Sequence, residues 1–384
     1  MIATSIRAGA LIGVRGTVGL AGLFVVVMTF LSAVKTVVVP RATSQLLTRV
    51  AFTTMRRIFG VIAHPKRPFV EQDRILALYA PLTLVLLPLV WVVMTVFGFA
   101  CVQWGIAGNG LRDAFLTSGS SMLTLGVVFH RDLPAAVFSY LQAAEGLVLV
   151  ALLISYLPTI YGAFSRRETL VGLLDSRAGT PPSPVQMLIR YTRIGGLDEI
   201  EDLFIRFEDW FLELEESHTS FAALCFFRSP VPERSWIIAS GAVLDAASLY
   251  LSVVEHARTP RPALCLRSGF LALRRIAEYF SLPIGPPPEP TDPITVTRRE
   301  FDLMYFELHA AGVPLKPDRE RAWLDFQGWR VNYDRSLVLL AKMIVAPPGI
   351  WSSDRPGPRM SAVKTVALRK RSPKLREHKG GRRG

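Results

Sequence analysis

The sequence predicts an all-α membrane protein, with three transmembrane helices, one re-entrant helix and loop, and a soluble all-α cytoplasmic domain. Half of its 384 residues are hydrophobic and the mean hydropathy is +0.33, which is high for a soluble globular protein. Charged residues are sparse in the first half and concentrated toward the C-terminus. No segment alternates apolar and polar residues as a half-buried strand does, so every element is expected to be helical.

The first apolar run covers residues 16–34, carries no charge and is followed by Lys35. At about 1.5 Å per residue, a helix of this length crosses the roughly 30 Å hydrocarbon core of a bilayer. A signal peptide is the alternative, but the run is long for one and no clear A-x-A cleavage site follows. We predict an N-terminal segment and first transmembrane helix over 1–40.

Two further apolar runs cover residues 75–100 and 133–164. The first contains Pro81 and Pro88, which would break a soluble helix but are tolerated in membranes, where neighbouring groups satisfy the freed carbonyls. The second has Glu145 as its only charge. Both runs are predicted to span, and they bound a predicted pore domain over 74–164.

The loops between the runs indicate the orientation. Segment 41–73 is an amphipathic linker with an excess of arginine and lysine, whereas 101–132 holds only two arginines, each beside an aspartate. Arg166 and Arg167 follow the third run. Because positively charged loops stay on the cytoplasmic side, we expect the linker and everything after residue 164 in the cytoplasm and the N-terminus outside.

The stretch between the second and third runs is too apolar for a plain loop and too short for a domain. A helix of about three turns fits residues 111–122, with Asn109 or Gly110 as its cap. Non-helical backbone at membrane depth must be buried in protein or line water. A short helix that enters the membrane and an extended segment that leaves it meet this condition, and the helix C-terminus then favours a cation. The polar residues expected to matter on this helix are Asp113, Ser118, Ser120 and Ser121.

The predicted order of span, short helix, loop and span resembles the potassium channel superfamily in its two-helix pore form. Residues Thr124, Leu125, Gly126, Val127 and Val128 stand where such channels have a Thr-Val-Gly-Tyr-Gly type filter. The chain is also similar to bacterial ion channel domain proteins that have an SGSS-x-x-TLG run and a helical C-terminal half. The resemblance implies a homotetramer in which backbone carbonyls of 124–128 coordinate a permeant K⁺ or Na⁺. Thr124 would match the filter threonine and Gly126 the first glycine.

The segment departs from the filter pattern at several positions. Val127 replaces the aromatic residue and Val128 the second glycine, and the aspartate expected next is absent, with Asp132 four residues beyond Val128. A β-branched residue resists the backbone conformation that the second glycine adopts. We therefore expect weak discrimination between potassium and sodium.

Two residues of the third run have alternative interpretations. Glu145 either contacts the ion or is a protonated or hydrogen-bonded carboxyl at a helix interface. Gly146 lies where the inner helix of such channels has a hinge glycine, and it is equally a residue for close helix packing.

The segment 165–350 is predicted to be a cytoplasmic helical domain. Ser165 to Glu168 form a capping box, unless the third span continues through them, and TPPSP at 180–184 interrupts the chain. Residues 197–218 form an amphipathic helix. Its apolar stripe is Ile200, Leu203, Phe204, Phe207, Trp210, Phe211 and Leu214.

Later elements follow from the same signals. The apolar segment 235–254 is either a buried helix or a fourth span, and Asp245 at its middle favours a buried helix. The proline-rich stretch 283–293 is predicted to be a linker. Thr297 and Glu300 form a capping box that begins a helix near 298–312, and a longer helix covers about 317–346.

The tail, residues 351–384, is basic and lacks the aromatic side chains that stack on bases. We expect it to be disordered and, like the basic linker, to lie near anionic lipid rather than nucleic acid. The chain shows no cofactor motif, metal site or catalytic constellation, so an enzyme is not expected. The favoured function is a multi-pass cation channel subunit of the plasma (inner) membrane. The alternative is a non-conducting receptor or scaffold.

Overall fold

The computed structural model describes residues 2–37, 46–64, 66–107, 110–128, 132–255 and 259–352. Within these ranges the secondary structure is helical, and the one pairing of β type is an isolated antiparallel bridge between Val254 and Leu315. The all-α prediction is confirmed for this part of the chain. The tail beyond residue 352, Asn109 and part of the basic linker lie outside it.

Among the described residues, the first half contains six helices, and the second half contains six helices and one 3-10 turn. The helices of the first half are α1 (Ile2–Val37), α2 (Leu46–Ile62), α3 (Phe69–Ala77), α4 (Tyr79–Ala107), α5 (Leu111–Met122) and α6 (Leu133–Ala178). Those of the second half are α7 (Pro184–Arg193), α8 (Ile200–Ser220), the 3-10 turn (Ala222–Phe226), α9 (Trp236–Ser252), α10 (Arg261–Tyr279), α11 (Arg298–Ala310) and α12 (Arg319–Ile344).

Three helical segments are long and apolar enough to cross a membrane, namely Ile12–Val37, Phe69–Ile106 and Leu133–Ala178. The prediction of three apolar helices of spanning length is confirmed for the described residues, and their length and composition indicate a membrane protein. The middle segment is two helices that meet at Leu78. Pro81 accounts for the break, because it has no N–H to donate to the carbonyl of Ala77, four residues earlier.

The predicted capping box at Ser165 is wrong, because α6 continues without interruption from Leu133 to Ala178. The backbone stays helical through the site, and the Thr169 hydroxyl donates to the carbonyl of Ser165 at 2.9 Å. The helix ends at Gly179, whose φ of 89° is a conformation that glycine adopts without steric cost. The TPPSP interruption then follows as predicted.

Small residues allow α1 and α4 to pack closely. A Cβ on Gly22 would lie 2.6 Å from Cβ of Cys101, and one on Gly98 would lie 2.7 Å from Cγ2 of Val26. A real Cβ atom does not lie this close to a neighbouring atom, so the two backbones approach as closely as glycine permits. This contact fixes α1 against the second span.

Helix α9 lies at the centre of the C-terminal half. It packs against α6, α7, α8, α10 and α12, and nearly all of its side chains are buried. This explains why the segment is apolar on every side and confirms a buried helix, which at 17 residues is shorter than the segments that could cross a membrane. The predicted apolar stripe of α8 also faces this core, since all seven of its residues are buried.

A buried ionic cluster accommodates Asp245 in the middle of α9. Its Oδ1 accepts from the guanidinium of Arg330 and, at 2.7 Å, from the hydroxyl of Tyr333. Nε of Arg330 also donates to Asp334 at 2.7 Å, and Thr295 donates to Asp334 through both its N–H and its hydroxyl. The charges are therefore paired, as buried charges must be, and the cluster joins α9, α12 and the chain after the proline-rich linker.

The capping box of Thr297 and Glu300 is confirmed. Each side chain accepts from the other residue's backbone N–H, at 3.3 and 2.8 Å. The observed helices α11 and α12 lie within two residues of each predicted end. The proline-rich stretch 283–293 forms no helix.

We expect Gly22→Ala to destabilise the packing of α1 on α4, because the added methyl collides with the backbone of α4 as well as Cys101. A loss of about 1–3 kcal/mol is typical of overpacking. Thermal unfolding of the full chain in detergent, followed by circular dichroism, measures it.

Gly16→Ala is the matched control, since a Cβ there meets nothing within 4 Å. It should be neutral or slightly stabilising, because alanine favours helix over glycine. Equal melting temperatures for the two variants would contradict the close contact.

Candidate functional site

Helix α5 is held between the second and third spans by the hydroxyl of Ser118. This hydroxyl donates to the carbonyl of Val96 on α4 at 2.7 Å, and it accepts from Nε2 of Gln142 on α6, also at 2.7 Å. Ser118 and Gln142 are fully buried. One side chain therefore connects three helices and helps to fix the position of α5 between the two spans.

The C-terminus of α5 also packs directly against Gly146 of α6. A Cβ at Gly146 would lie 2.6 Å from the carbonyl oxygen of Met122, the last residue of α5. Helix α6 passes through this position without a break. The geometry favours the close-packing interpretation of Gly146.

The end of α5 is a Schellman motif. The N–H of Thr124 donates to the carbonyl of Ser121 at 3.1 Å, and the N–H of Leu125 donates to that of Ser120 at 2.8 Å. Thr124 has a φ of 52°, the left-handed conformation that this motif requires. The turn reverses the chain immediately after the helix.

Residues 125–128 follow this turn without regular secondary structure and pass close to the last turn of α5. The N–H of Val127 donates to the hydroxyl of Ser120 at 3.0 Å. Gly126 has a φ of 65°, so left-handed residues occur at alternate positions, 124 and 126, whereas Val128 is not one of them. All five side-chain positions from 124 to 128 are exposed.

Glu145, Asp113 and Ser121 are the predicted residues still to be placed. Glu145 is half-buried and accepts from the hydroxyl of Thr95 on α4 at 3.2 Å, so it has a helix-interface contact. Asp113 is exposed in the first turn of α5, where a negative charge is favourable. Ser121 contributes its carbonyl to the turn. The predicted residues that bond to the segment 124–128 are Ser120 and Ser121, whereas Ser118 and Gly146 contact the neighbouring helices.

Several polar residues of the site were not predicted from the sequence. They are Thr95, Gln103 and Gln142, all inside apolar spans. Gln103 donates to the carbonyl of Ala135 and to the hydroxyl of Ser139, both at 3.1 Å, which joins α4 to the start of α6. A buried amide within a span needs a partner, and that rule could have identified them.

No family model, curated protein or solved structure matches this chain. Its function is therefore inferred from the residues themselves. Within the described ranges, no group of three or more histidine, cysteine, aspartate or glutamate side chains is placed to hold a metal ion.

Arg167 joins the third span to the C-terminal half. It is buried, and its guanidinium donates to the carbonyls of Leu224 and Phe227, each at 2.8 Å. Nε and Nη2 both lie 2.9 Å from Glu168, and Nη1 lies 3.3 Å from Nε2 of His218. The five N–H groups are thus directed at acceptors, and α6 is bound to the segment after α8.

Arg228 joins the second span to the same region. It pairs with Asp73 of α3 and donates to the carbonyls of Ile344 and Val345, at 2.8 and 2.9 Å. Arg56 of α2 donates to the carbonyl of Met343 at 3.1 Å. The segment 221–228 therefore lies between both spans and the end of α12.

His218 is buried in this junction and neutral. A guanidinium can only donate, so Nε2 of His218 accepts from Arg167 and Nδ1–H faces the hydroxyl of Ser217 at 3.1 Å. Its ring lies against Trp236, with the centroids 4.8 Å apart. Burial lowers the pKa of His218 well below its usual range, and the charge of Arg167 lowers it further.

We expect Ser118→Ala to destabilise the protein by about 1–3 kcal/mol, because Nε2 of Gln142 loses its acceptor inside the spans. The measurement is thermal unfolding in detergent. Ser121→Ala, one turn along the same helix, is the control: it removes a hydroxyl while keeping the carbonyl that closes the turn. Similar shifts for both variants would show that the bonds of Ser118 contribute little.

We expect the junction to lose stability as the pH falls from about 7 to 5. Below about 6.5 the unfolded histidine binds a proton that folded His218 does not, so the free energy of unfolding falls by up to ~1.4 kcal/mol per pH unit. Chemical unfolding of the full chain at several pH values measures this slope.

His218→Gln should reduce the slope, because glutamine does not titrate. His309→Gln, at an exposed position of α11, should retain it. An unchanged slope in His218→Gln would contradict a buried neutral histidine.

Proposed function

We propose that the chain is one subunit of a tetrameric pore-loop cation channel in which α5 is the pore helix and 124–128 the filter. The observation that carries the proposal is the end of α5: a helix tied to two candidate spans, followed by a reversed segment with left-handed residues at Thr124 and Gly126. A loop that merely connected two spans would not need the buried bonds of Ser118. A filter needs them, because its carbonyls must be held in position.

The helix dipole supports a cation at this place. The C-terminus of α5 carries partial negative charge. The carbonyls of Ser120 and Ser121 accept the two Schellman bonds, and the carbonyls of Met122 and Leu123 follow them along the chain. A re-entrant α5 would direct this end toward the membrane centre. Such an arrangement favours cations over anions.

The exposed apolar surface supports assembly. Leu125 and Val127 are 61% and 74% exposed, and Leu111, Phe115 and Leu141 on the flanking helices are also exposed. A filter segment cannot face lipid with its backbone unsatisfied, and one strand cannot surround an ion. Four copies around one axis would place the segment against water and cover the helices.

The roles of individual residues follow from this arrangement. The carbonyls of 124–128 and the Thr124 hydroxyl would coordinate K⁺ or Na⁺. Val128 lacks the left-handed φ of Gly126, so fewer carbonyl rings are expected and selectivity should be weak. Helix α6 would line the inner cavity, with Glu145 and Gly146 on its packed side.

Orientation and surroundings are part of the same proposal. The excess of positive charge in 41–73 and after 164 favours a cytoplasmic position for both in the plasma (inner) membrane, with the N-terminus outside, which reporters fused to each end would test. In this orientation the C-terminal half is a cytoplasmic domain. Helix α2 and the basic tail would lie near anionic lipid.

We expect vesicles containing the purified protein to pass potassium and sodium with similar permeability and to exclude chloride. With potassium on one side and sodium on the other, the reversal potential should lie near zero, because the filter has few coordinating rings. Chloride current would contradict the cation pore. Absence of any flux would favour a non-conducting receptor or scaffold.

Two glycine variants test the assignment of the filter. A Cβ meets nothing within 4 Å at either Gly126 or Gly119, but Gly126 has a φ of 65° and Gly119 lies within α5. Gly126→Ala adds strain on the order of 1–2 kcal/mol at the filter and should reduce flux. Gly119→Ala should conduct as the wild type does; equal flux from both variants would show that 124–128 is not the ion path.

A further inference from the structure

A small cavity lies between α6 and α8, where the third span meets the C-terminal half. Its volume is about 100 Å³, and its walls include Ala163, Arg166, Trp210, Glu213 and Glu216. The apolar run that forms the span ends at residue 164, immediately before Arg166. The cavity therefore lies at the level of the phospholipid head groups.

One side of the cavity offers hydrogen-bond donors. Trp210 is buried, and its indole Nε1–H has no acceptor among the described residues. Arg166 is exposed, and its nearest carboxylate is Glu213, at 3.7 Å from Nε, which is longer than a hydrogen bond. Arg167 also lines the cavity but is already bonded to Glu168, His218 and two carbonyls. The donor that a ligand in the cavity can reach is therefore Arg166, because Nε1 of Trp210 is fully buried.

The other side offers carboxylate acceptors. Glu213 is 60% exposed, and its pair with Arg166 is of a kind that contributes little in water. Glu216 accepts from the hydroxyl of Ser220 at 3.1 Å through one oxygen only. A ligand with one anionic and one cationic group could replace the loose pair by two closer ones.

We propose that this cavity binds a phosphoethanolamine group, supplied by the head group of a membrane phospholipid. Phosphate oxygens accept from Arg166, and the primary ammonium donates to Glu213 and Glu216. A quaternary ammonium has no N–H to donate, so a phosphocholine group satisfies only the phosphate side. An anionic glycerol head group leaves the two carboxylates facing negative charge. This site is separate from the proposed ion path and does not depend on conduction.

The test uses the full-length protein, stripped of lipid in neutral detergent, and native mass spectrometry to count bound lipids. Phosphatidylethanolamine, phosphatidylcholine and phosphatidylglycerol with identical acyl chains are added separately, together with soluble glycerophosphoethanolamine as the head group alone. We expect one phosphatidylethanolamine per chain, held roughly tenfold more tightly than the other two lipids. The other two lack the hydrogen-bonded pair between a primary ammonium and the carboxylates. The soluble head group should bind much more weakly than the lipid.

Two variants separate the two halves of the site. Glu213→Gln should remove the preference for ethanolamine over choline, and Arg166→Ala should weaken binding of both lipids together, since both carry the phosphate. Arg299→Ala and Glu289→Gln, at exposed positions that do not line the cavity, are the matched controls and should bind as the wild type does.

Equal affinity for the three lipids would overturn the proposal, and so would an unchanged preference in Glu213→Gln. A preference for phosphatidylglycerol would show a plain anion site instead. Equal binding of soluble glycerophosphoethanolamine and the lipid would overturn the membrane source.

Discussion

A hydroxyl can donate one hydrogen bond and accept two, and Ser118 uses this capacity to join α5 to both flanking spans. The bond to the carbonyl of Val96 fixes α5 on α4, and the bond from Gln142 fixes it on α6. Once α5 is held at this point, its last turn meets Gly146 so closely that only glycine fits. The Schellman turn and the reversed segment 124–128 start from that fixed end, so their position depends on the same hydroxyl.

Arginines perform the corresponding task where the spans meet the C-terminal half. Helix α12 ends at Ile344, and its last carbonyls would lack intrahelical partners. Arg56 and Arg228 donate to the carbonyls of Met343, Ile344 and Val345, and a cation near a helix C-terminus is also favoured by the dipole. The planar guanidinium suits this role, because it can serve two neighbouring carbonyls and a carboxylate at once.

Local signals were enough to predict much of the fold. Helix α5 occupies the predicted residues 111–122, and the box of Thr297 and Glu300 caps α11 as expected, because both depend on neighbours within a few residues. The box at Ser165 has the same residue types, yet α6 continues through it. The difference is that Arg167 is bound by carbonyls near residues 224 and 227, a tertiary contact that no local pattern contains.

The site was predictable in part for the same reason. Residues 124–128 could be located by their order between a short helix and a span. The left-handed conformation of Thr124 could not be predicted, since a β-branched residue normally avoids it. It follows from the Schellman bonds to Ser120 and Ser121, which compensate for the strain. Likewise, the closeness of Gly146 to Met122 depends on how α5 and α6 cross, which spacing along the chain does not specify.

The two attachments of segment 221–228 bear on how the proposed channel could be regulated. Arg167 binds this segment to α6, and Arg228 binds it to Asp73 at the start of the second span. Helix α6 is continuous from Gly146 to Ala178, a distance of about 48 Å at helical rise. In the proposed channel, a tilt at the C-terminal end of α6 would reach the contact between Gly146 and the end of α5. Because Asp73 is bound to the same segment, a movement of the C-terminal half would pull on the second and third spans together.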